Sequence, residues 1–282
     1  MDTIAEAVRR VCDATSSDQD VVLAAVTNDE QAVFANQSKD FPTAVRHAQI
    51  ASALWERLSQ SETASATQRM SAKLSRFGTA TCLGSSQWKS GDFDAAKQTF
   101  AEARGALTEM EPEVCSRPKP SGIAKFIPFV RPRPDQDTIR EWLQTLTAIH
   151  LNEGVMFHAS EDYKASLACY ENASHVLFDR HVKRIGPEDD LESTGKVINI
   201  WENTMACGLD ADDPPRAAHA AANAIKLVSF WPSHGREIPG EVTQAFATFL
   251  GRVAGLSKDD RERLDAALPD GLAEWIDSWI ED

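Results

Sequence analysis

The residues of this chain that could do chemistry are few and dispersed. His175 and Asp179 lie four residues apart with His181 nearby, so on a helix they could hold a metal ion. The ordinary alternative is a surface pair at a helix end, and we expect no metal site. Cys169 stands beside an aromatic residue in a helical pattern, which favours packing over nucleophilic chemistry. The five cysteines include no C-x-x-C pair and are odd in number, so neither a zinc site nor a disulfide framework is expected.

The sequence motifs of common active sites do not occur. There is no phosphate-binding loop, dinucleotide fingerprint, nucleophile elbow or H-E-x-x-H zinc motif. The acidic runs PEDDLES and DADDPP lack the alternating oxygen ligands around a glycine that calcium requires, and are typical of loops and helix starts. We therefore predict no catalytic residues and no cofactor. The alternative is a helical enzyme whose site is assembled only on folding, and a deep pocket with converging ionisable residues would reveal it.

The composition indicates a folded, acidic protein. Of 282 residues, 42% are hydrophobic and 26% charged, and the net charge is −14, so a nucleic acid partner is not expected. The scattered cysteines suggest a reducing compartment. The first residues, MDTIAEAVRRVCDA, have no apolar core of a signal peptide, and no apolar run approaches the ~20 residues of a membrane span. These features predict a cytoplasmic protein without integral membrane insertion.

The chain should be all-α. Strand patterns are nearly absent, and Ser17 with Asp20 has the spacing of a capping box. The pattern of apolar residues, caps and prolines predicts helices over residues 2–15, 17–36, 40–59, 63–88, 92–110, 135–159, 161–182, 195–207, 214–230, 241–254, 257–268 and 272–280.

Two of these helical pairs repeat each other. Aligning LGSSQWKSGDFDAAKQTFAEA (83–103) with EGVMFHASEDYKASLACYENA (153–173) on Gly84 and Gly154 matches several positions without a gap. The matched pairs are Phe93 with Tyr163, Ala96 with Ser166, Phe100 with Tyr170, and Ala103 with Ala173. A small residue at the glycine position would let the second helix approach closely. Weaker copies are indicated upstream, from Asp40 through Ala51, and downstream, from Trp201 through Ala224.

The tetratricopeptide repeat, a helix–turn–helix unit of 34 residues, has the pattern L-G-x-x-Y followed by A-x-x-x-F, and both copies resemble parts of it. The first copy matches through Leu83-Gly84 and Ala96-x-x-x-Phe100, and the second through Gly154-x-x-Phe157 and Ser166-x-x-x-Tyr170. The resemblance implies an irregular α-solenoid whose units leave a groove for a peptide or helix of a protein partner. It also implies a division into N-terminal helices (1–60), a repeat core (61–230) with a proline-rich insertion (111–134), and C-terminal capping helices (231–282).

The layout is similar to the repeat domain of large immunophilins and other co-chaperones. In those proteins a carboxylate clamp of Lys, Asn, Asn, Lys and Arg holds the C-terminal carboxylate of a heat-shock chaperone. The positions of this chain that match the clamp are Thr81, Ser85, Asn152, Ile200 and Thr204, so only the Asn at 152 is retained. Without the cations a carboxylate would lose its charge-assisted hydrogen bonds, and chaperone-tail binding is not expected.

A basic, proline-rich ribbon, residues 115–134, interrupts the acidic chain. It holds five basic and no acidic residues, together with Phe126 and Phe129. It could pack against the repeats, act as a mobile partner-binding loop, or touch a membrane surface.

The last predicted helix carries Leu272, Trp275, Ile276, Trp279 and Ile280 on one stripe. It could cap the last repeat or dock into another copy to form a homo-oligomer.

These patterns together predict a non-catalytic module that binds a protein or peptide; a self-assembling structural or effector protein is a further alternative. The expected contact residues face inward from first helices or lie in the ribbon: Thr81, Ser85, Trp88, Lys89, Lys125, Phe126, Phe129, Asn152 and His158.

Overall fold

The computed structural model describes residue 6 and residues 9–10, 17–115 and 135–280, which contain helices and no strand. The all-α prediction is thereby confirmed for this part of the chain. Most of the helix predicted over residues 2–15 lies outside the described residues, as does the ribbon from residue 116 onward. The chain divides into two compact units, Met1–Asn152 and Glu153–Asp282.

The helices of the first unit follow the predicted pattern closely. They are α1 (Asp18–Gln37), α2 (Phe41–Ser59), α3 (Ala66–Lys89), α4 (Phe93–Val114) and α5 (Gln136–Ala159), whose last residues belong to the second unit. Ser17 and Asp20 form the predicted capping box, and Ser65 with Gln68 forms another. Both boxes satisfy backbone N–H groups that the first helical turn leaves without partners.

Helix α4 runs further than the proline pattern predicted. The expected end was near Met110, but the helix includes Pro112 and ends at Val114. Proline removes one backbone hydrogen bond, and here it does so only in the last turn, where little helix remains to be disrupted. The buried indole of Trp142 on α5 then donates to the carbonyl of Leu107 at 2.8 Å and ties α5 to α4.

The second unit begins in α5 and continues with α6 (Tyr163–Ser174), which passes into a π-helix (His175–Val182) and a last turn (Lys183–Ile185). It then contains α7 (Leu191–Asp210), α8 (Pro214–Val228), a short helix (Phe230–Ser233), α9 (Gly240–Ala254), α10 (Lys258–Ala267) and α11 (Leu272–Ile280). Helix α7 starts four residues earlier than predicted, because Asp190 accepts hydrogen bonds from the backbone N–H of Ser193 and from buried His181.

Four helical hairpins share one turn geometry. In α1–α2, α3–α4, α5–α6 and α7–α8, a residue just after the first helix has a positive φ, and the next residue is an aspartate. These pairs are Lys39–Asp40, Gly91–Asp92, Glu161–Asp162 and Asp212–Asp213. Each aspartate N–H donates to the carbonyl five residues back at 2.8–2.9 Å, and each carboxylate caps the second helix. This is a Schellman motif whose final residue is also an N-cap.

The glycines at the centre of the sequence repeat are in contact with the matched rings. A Cβ added to Gly84 would lie 2.6 Å from the ring of Phe100, and one added to Gly154 would lie 2.6 Å from the ring of Tyr170. The α7–α8 hairpin has Met205 at the matching position and uses Gly208 instead, where a Cβ would lie 2.9 Å from the backbone nitrogen of Ala217. The two strongest repeat segments are therefore tight hairpins.

The C-terminal helix α11 packs on α9 through aromatic rings. Trp279 lies edge-on to Phe246, with ring centres 5.7 Å apart, and Trp275 lies 5.8 Å from the same ring. Ile276 is buried, while Trp279 and Ile280 keep part of their surface exposed.

Candidate functional site

Four of the predicted contact residues lie around one cavity of the first unit. Thr81, Ser85 and Lys89 recur every four residues along α3, so they share a face, and Asn152 joins them from α5. With Val33, Asn36, Gln37 and Cys82, they line an open cavity of about 210 Å³. We call it the α1–α3–α5 pocket.

Asn36 of α1 positions the one charged group, Lys89, among the described residues that line this pocket. Its amide oxygen accepts a hydrogen bond from Lys89 Nζ at 3.1 Å, and its amide nitrogen donates to Ser86 Oγ at 2.6 Å. The ammonium of Lys89 also lies 5.9 Å from the centre of the Trp88 ring. The lysine is thus held at the rim, while the exposed part of its ammonium stays available to an anionic or carbonyl oxygen.

Asn152 connects α5 to α3 across the pocket. Its amide oxygen accepts from Ser85 Oγ at 2.9 Å, and its amide nitrogen donates to the carbonyl of Ala148 at 2.8 Å. An amide group has two N–H donors, so one remains for a ligand. Thr81 Oγ1 donates to the carbonyl of Gly78 and keeps its acceptor capacity.

The α1–α3–α5 pocket is lined mainly by hydroxyl and amide side chains. Burial raises the pKa of the Cys82 thiol, which keeps it protonated and a weak nucleophile. Among the residues that the structure describes, no carboxylate and no histidine lines the cavity. What remains is a set of hydroxyl and amide groups with one ammonium, which can hydrogen-bond a peptide chain.

The other predicted contact residues have different surroundings. Trp88 lies 6.4 Å from Phe93, the aromatic residue across the hairpin turn. His158, in the second unit, contacts the Asp210 carboxylate at 2.7 Å and the ring of Tyr163 at 5.7 Å. Lys125, Phe126 and Phe129 lie outside the described residues. The two remaining clamp-equivalent positions, Ile200 and Thr204, are buried in the second unit.

Sequence reasoning missed the contribution of α1. Leu23, Val26, Val33 and Phe34 are exposed on this helix, while Val21, Ala25, Ala32 and Ala35 are buried. A helix that is apolar on both sides gives no one-sided periodic signal, so its outward face was not distinguishable. The sequence did contain one signal. Besides its alanines, α1 carries several larger apolar residues, more than one buried face needs.

His175 and His181, which could have formed a metal site, each contact a different aspartate. His175 contacts Asp179 at 3.2 Å and is exposed, whereas His181 contacts Asp190 at 2.8 Å in a buried pair. Across residues 17–115 and 135–280, no group of three or more potential metal ligands is found. Among the helices that the structure describes, none is long and apolar enough to cross a membrane.

Comparison with known proteins adds no relative. No family model, no curated protein and no solved structure matches the chain significantly.

Proposed function

We propose that this protein is a non-catalytic interaction module that binds a peptide segment of a protein partner at the α1–α3–α5 pocket. The observation that carries the proposal is the convergence of Asn36, Lys89 and Asn152 from three helices on one open cavity. Two side-chain amides and an ammonium match the hydrogen-bonding groups of a peptide backbone and one acidic or polar side chain.

The hairpins support a tetratricopeptide-like interpretation. In two of them, α3–α4 and α5–α6, the second helix lies close to the first at the glycine position, as the sequence repeat suggests. Such repeats present first-helix residues to a partner, and Thr81, Ser85 and Lys89 belong to a first helix.

The chemistry of the pocket argues against a chaperone-tail receptor. Thr81, Ile200 and Thr204 stand at the three cationic positions of the carboxylate clamp, and Ile200 and Thr204 are buried. A single ammonium group supplies one positive charge, whereas the clamp grips its carboxylate with three cationic side chains.

Site-specific crosslinking tests the proposal. A photoreactive benzophenone residue placed at Thr81 should crosslink a discrete partner in lysate of the native source, identifiable by mass spectrometry. The same residue at exposed Ala101 on α4 is the matched control and should not crosslink that partner.

The combined Lys89→Ala and Asn152→Ala variant should then reduce the Thr81 crosslink at least tenfold, because it removes the ammonium and one amide. Equal crosslinking at positions 81 and 101, or a yield unchanged by the double variant, would refute the proposal.

A further inference from the structure

A second cavity lies in the other unit, between α6, α7 and α8. It measures about 320 Å³, and its lining includes Phe178, Trp201, Ala220 and Asn223. This volume is at the lower end of those that hold small ligands, so it suits one side chain rather than a whole helix face. We call it the Trp201 cavity.

The hairpin repeat provides an internal reference for this cavity. Matching Ala217 to Ala96 places Ala220 on Thr99 and Asn223 on Glu102, and matching Met205 to Gly84 places Trp201 on Ala80. Ala80, Thr99 and Glu102 also line a cavity, of about 280 Å³, in the first unit. A furrow at this position is therefore a recurrent product of hairpin packing, and what distinguishes the Trp201 cavity is its lining.

That lining is an aromatic floor held by the neighbouring helix. The indole N–H of Trp201 donates to Ser174 Oγ at 2.9 Å, and Phe178 packs edge-on to the indole with ring centres 5.0 Å apart. Phe178 belongs to the π-helix (His175–Val182). π-helical turns are rare, and they occur frequently at functional sites. In the reference furrow the tryptophan is replaced by Ala80.

Among the described residues, two ion pairs and the exposed side chain of His219 are the titratable groups around the Trp201 cavity. Arg216 contacts Glu171 at 3.2 Å, and His175 contacts Asp179 at 3.2 Å. A charged ligand would have to compete with one of these pairs, whereas a neutral apolar group would leave both intact. The paired charges and the aromatic lining therefore favour a neutral occupant over a charged one.

Asn223 supplies the polar contact. It is partly buried at the cavity wall, and its amide forms no hydrogen bond within the described part of the chain. A side-chain amide offers both a donor and an acceptor, which is the complement of one peptide group.

From these observations we infer that the Trp201 cavity is a second recognition site, which takes one neutral aromatic or branched aliphatic side chain of a peptide. The side chain lies against Trp201 and Phe178, and the adjoining peptide group pairs with Asn223. The occupant is a segment of a protein partner, and the site is separate from the α1–α3–α5 pocket.

Selection of random peptides displayed on phage against the full chain tests this inference. Enriched peptides are synthesised, and their affinities are measured for the wild-type chain and four variants. Asn223→Ala removes the amide, and Ala220→Phe fills the cavity. Glu102→Ala and Thr99→Phe are the matched controls at equivalent positions of the reference furrow.

The expected peptides share one Phe, Tyr, Trp, Leu or Ile, whose replacement by Ala weakens binding at least tenfold. Asn223→Ala should weaken binding about 3- to 10-fold, the usual effect of one hydrogen-bonding side chain, and Ala220→Phe should abolish it. Both controls should bind as the wild type does. If Ala220→Phe does not fold, as judged by circular dichroism, Asn223→Ala alone decides.

Three outcomes would overturn the inference: no enriched peptide, a required charged residue, or affinities unchanged by Asn223→Ala. A fifth variant, Lys89→Ala, identifies peptides bound at the α1–α3–α5 pocket, and these peptides are set aside before the Asn223→Ala criterion is applied. The two proposals can therefore fail independently.

Discussion

The ring of Phe100 lies against the backbone of Gly84, so close that a Cβ on the glycine would be 2.6 Å from the ring. Both residues are buried, and the ring has no exposed surface into which it could move. The contact therefore fixes how closely α3 and α4 approach.

This contact makes Gly84→Ala a destabilising change. Overpacking should lower the free energy of unfolding by about 1–3 kcal/mol, measured by urea titration. A Cβ added to Gly78 on the same helix would have nothing within 4 Å, so Gly78→Ala should instead raise this free energy by up to about 1 kcal/mol, because alanine favours helix. Equal effects of the two substitutions would contradict the packing argument.

Tyr170 occupies the place of Phe100 in the α5–α6 hairpin, and we expect its hydroxyl group to be dispensable for stability. The hydroxyl is buried, and the neighbouring Ser166 side chain does not reach it with good hydrogen-bond geometry; burial raises the pKa of the phenol. Tyr170→Phe should therefore leave the free energy of unfolding unchanged or raise it by about 1 kcal/mol. A loss above about 1 kcal/mol in the same urea titration would show that the hydroxyl makes a stabilising contact.

His150 should make the protein acid-sensitive. Burial, with a smaller effect of Arg104, lowers its pKa from 6.5 to about 4. The unfolded chain binds a proton at a higher pH than the folded chain does. The contribution of His150 to the free energy of unfolding is therefore fully present above about pH 6.5. It is lost as the pH drops toward about 4, by about 3 kcal/mol in total.

The variant His150→Phe isolates this effect, since phenylalanine does not titrate. Urea titrations from about pH 7 to about pH 4 should show a steeper loss for the wild-type chain than for the variant. Parallel curves would mean that the folded state accepts the proton without cost.

Substitution can test how much the left-handed residue of a hairpin turn costs in stability. Glu161 has a φ of 62°, whereas the matching residue of the α3–α4 hairpin is Gly91. A left-handed conformation costs a non-glycine residue about 1–2 kcal/mol, partly offset by the greater freedom of an unfolded chain that contains glycine. Glu161→Gly should therefore raise the thermal midpoint, and Gly91→Ala should lower it. A lower midpoint for Glu161→Gly would show that its side chain stabilises the turn.

Local sequence signals predicted the helices well because their physical causes lie within a few residues. Ser17 and Asp20 cap α1 from adjacent positions, and Gly84 meets Phe100 within one hairpin. The pairing of Asn36 with Lys89 was not predictable, because 53 residues separate them and the contact depends on how α1 is rotated against α3. The π-helix (His175–Val182) was not predicted either, because this segment falls within the single α-helix predicted over residues 161–182.

The aspartate-capped turn that the four hairpins share also determines where residues can be inserted into this chain. Within each hairpin turn, one left-handed residue and one aspartate reverse the chain. An added residue would break the hydrogen bond from the aspartate N–H to the carbonyl five residues back and would displace the carboxylate that caps the second helix. Between hairpins the connections range from the few residues that join α2 to α3 to the proline-rich stretch that joins α4 to α5. Segments can therefore be inserted between the hairpins without disturbing the packed helices, whereas an insertion within a hairpin turn would disturb them.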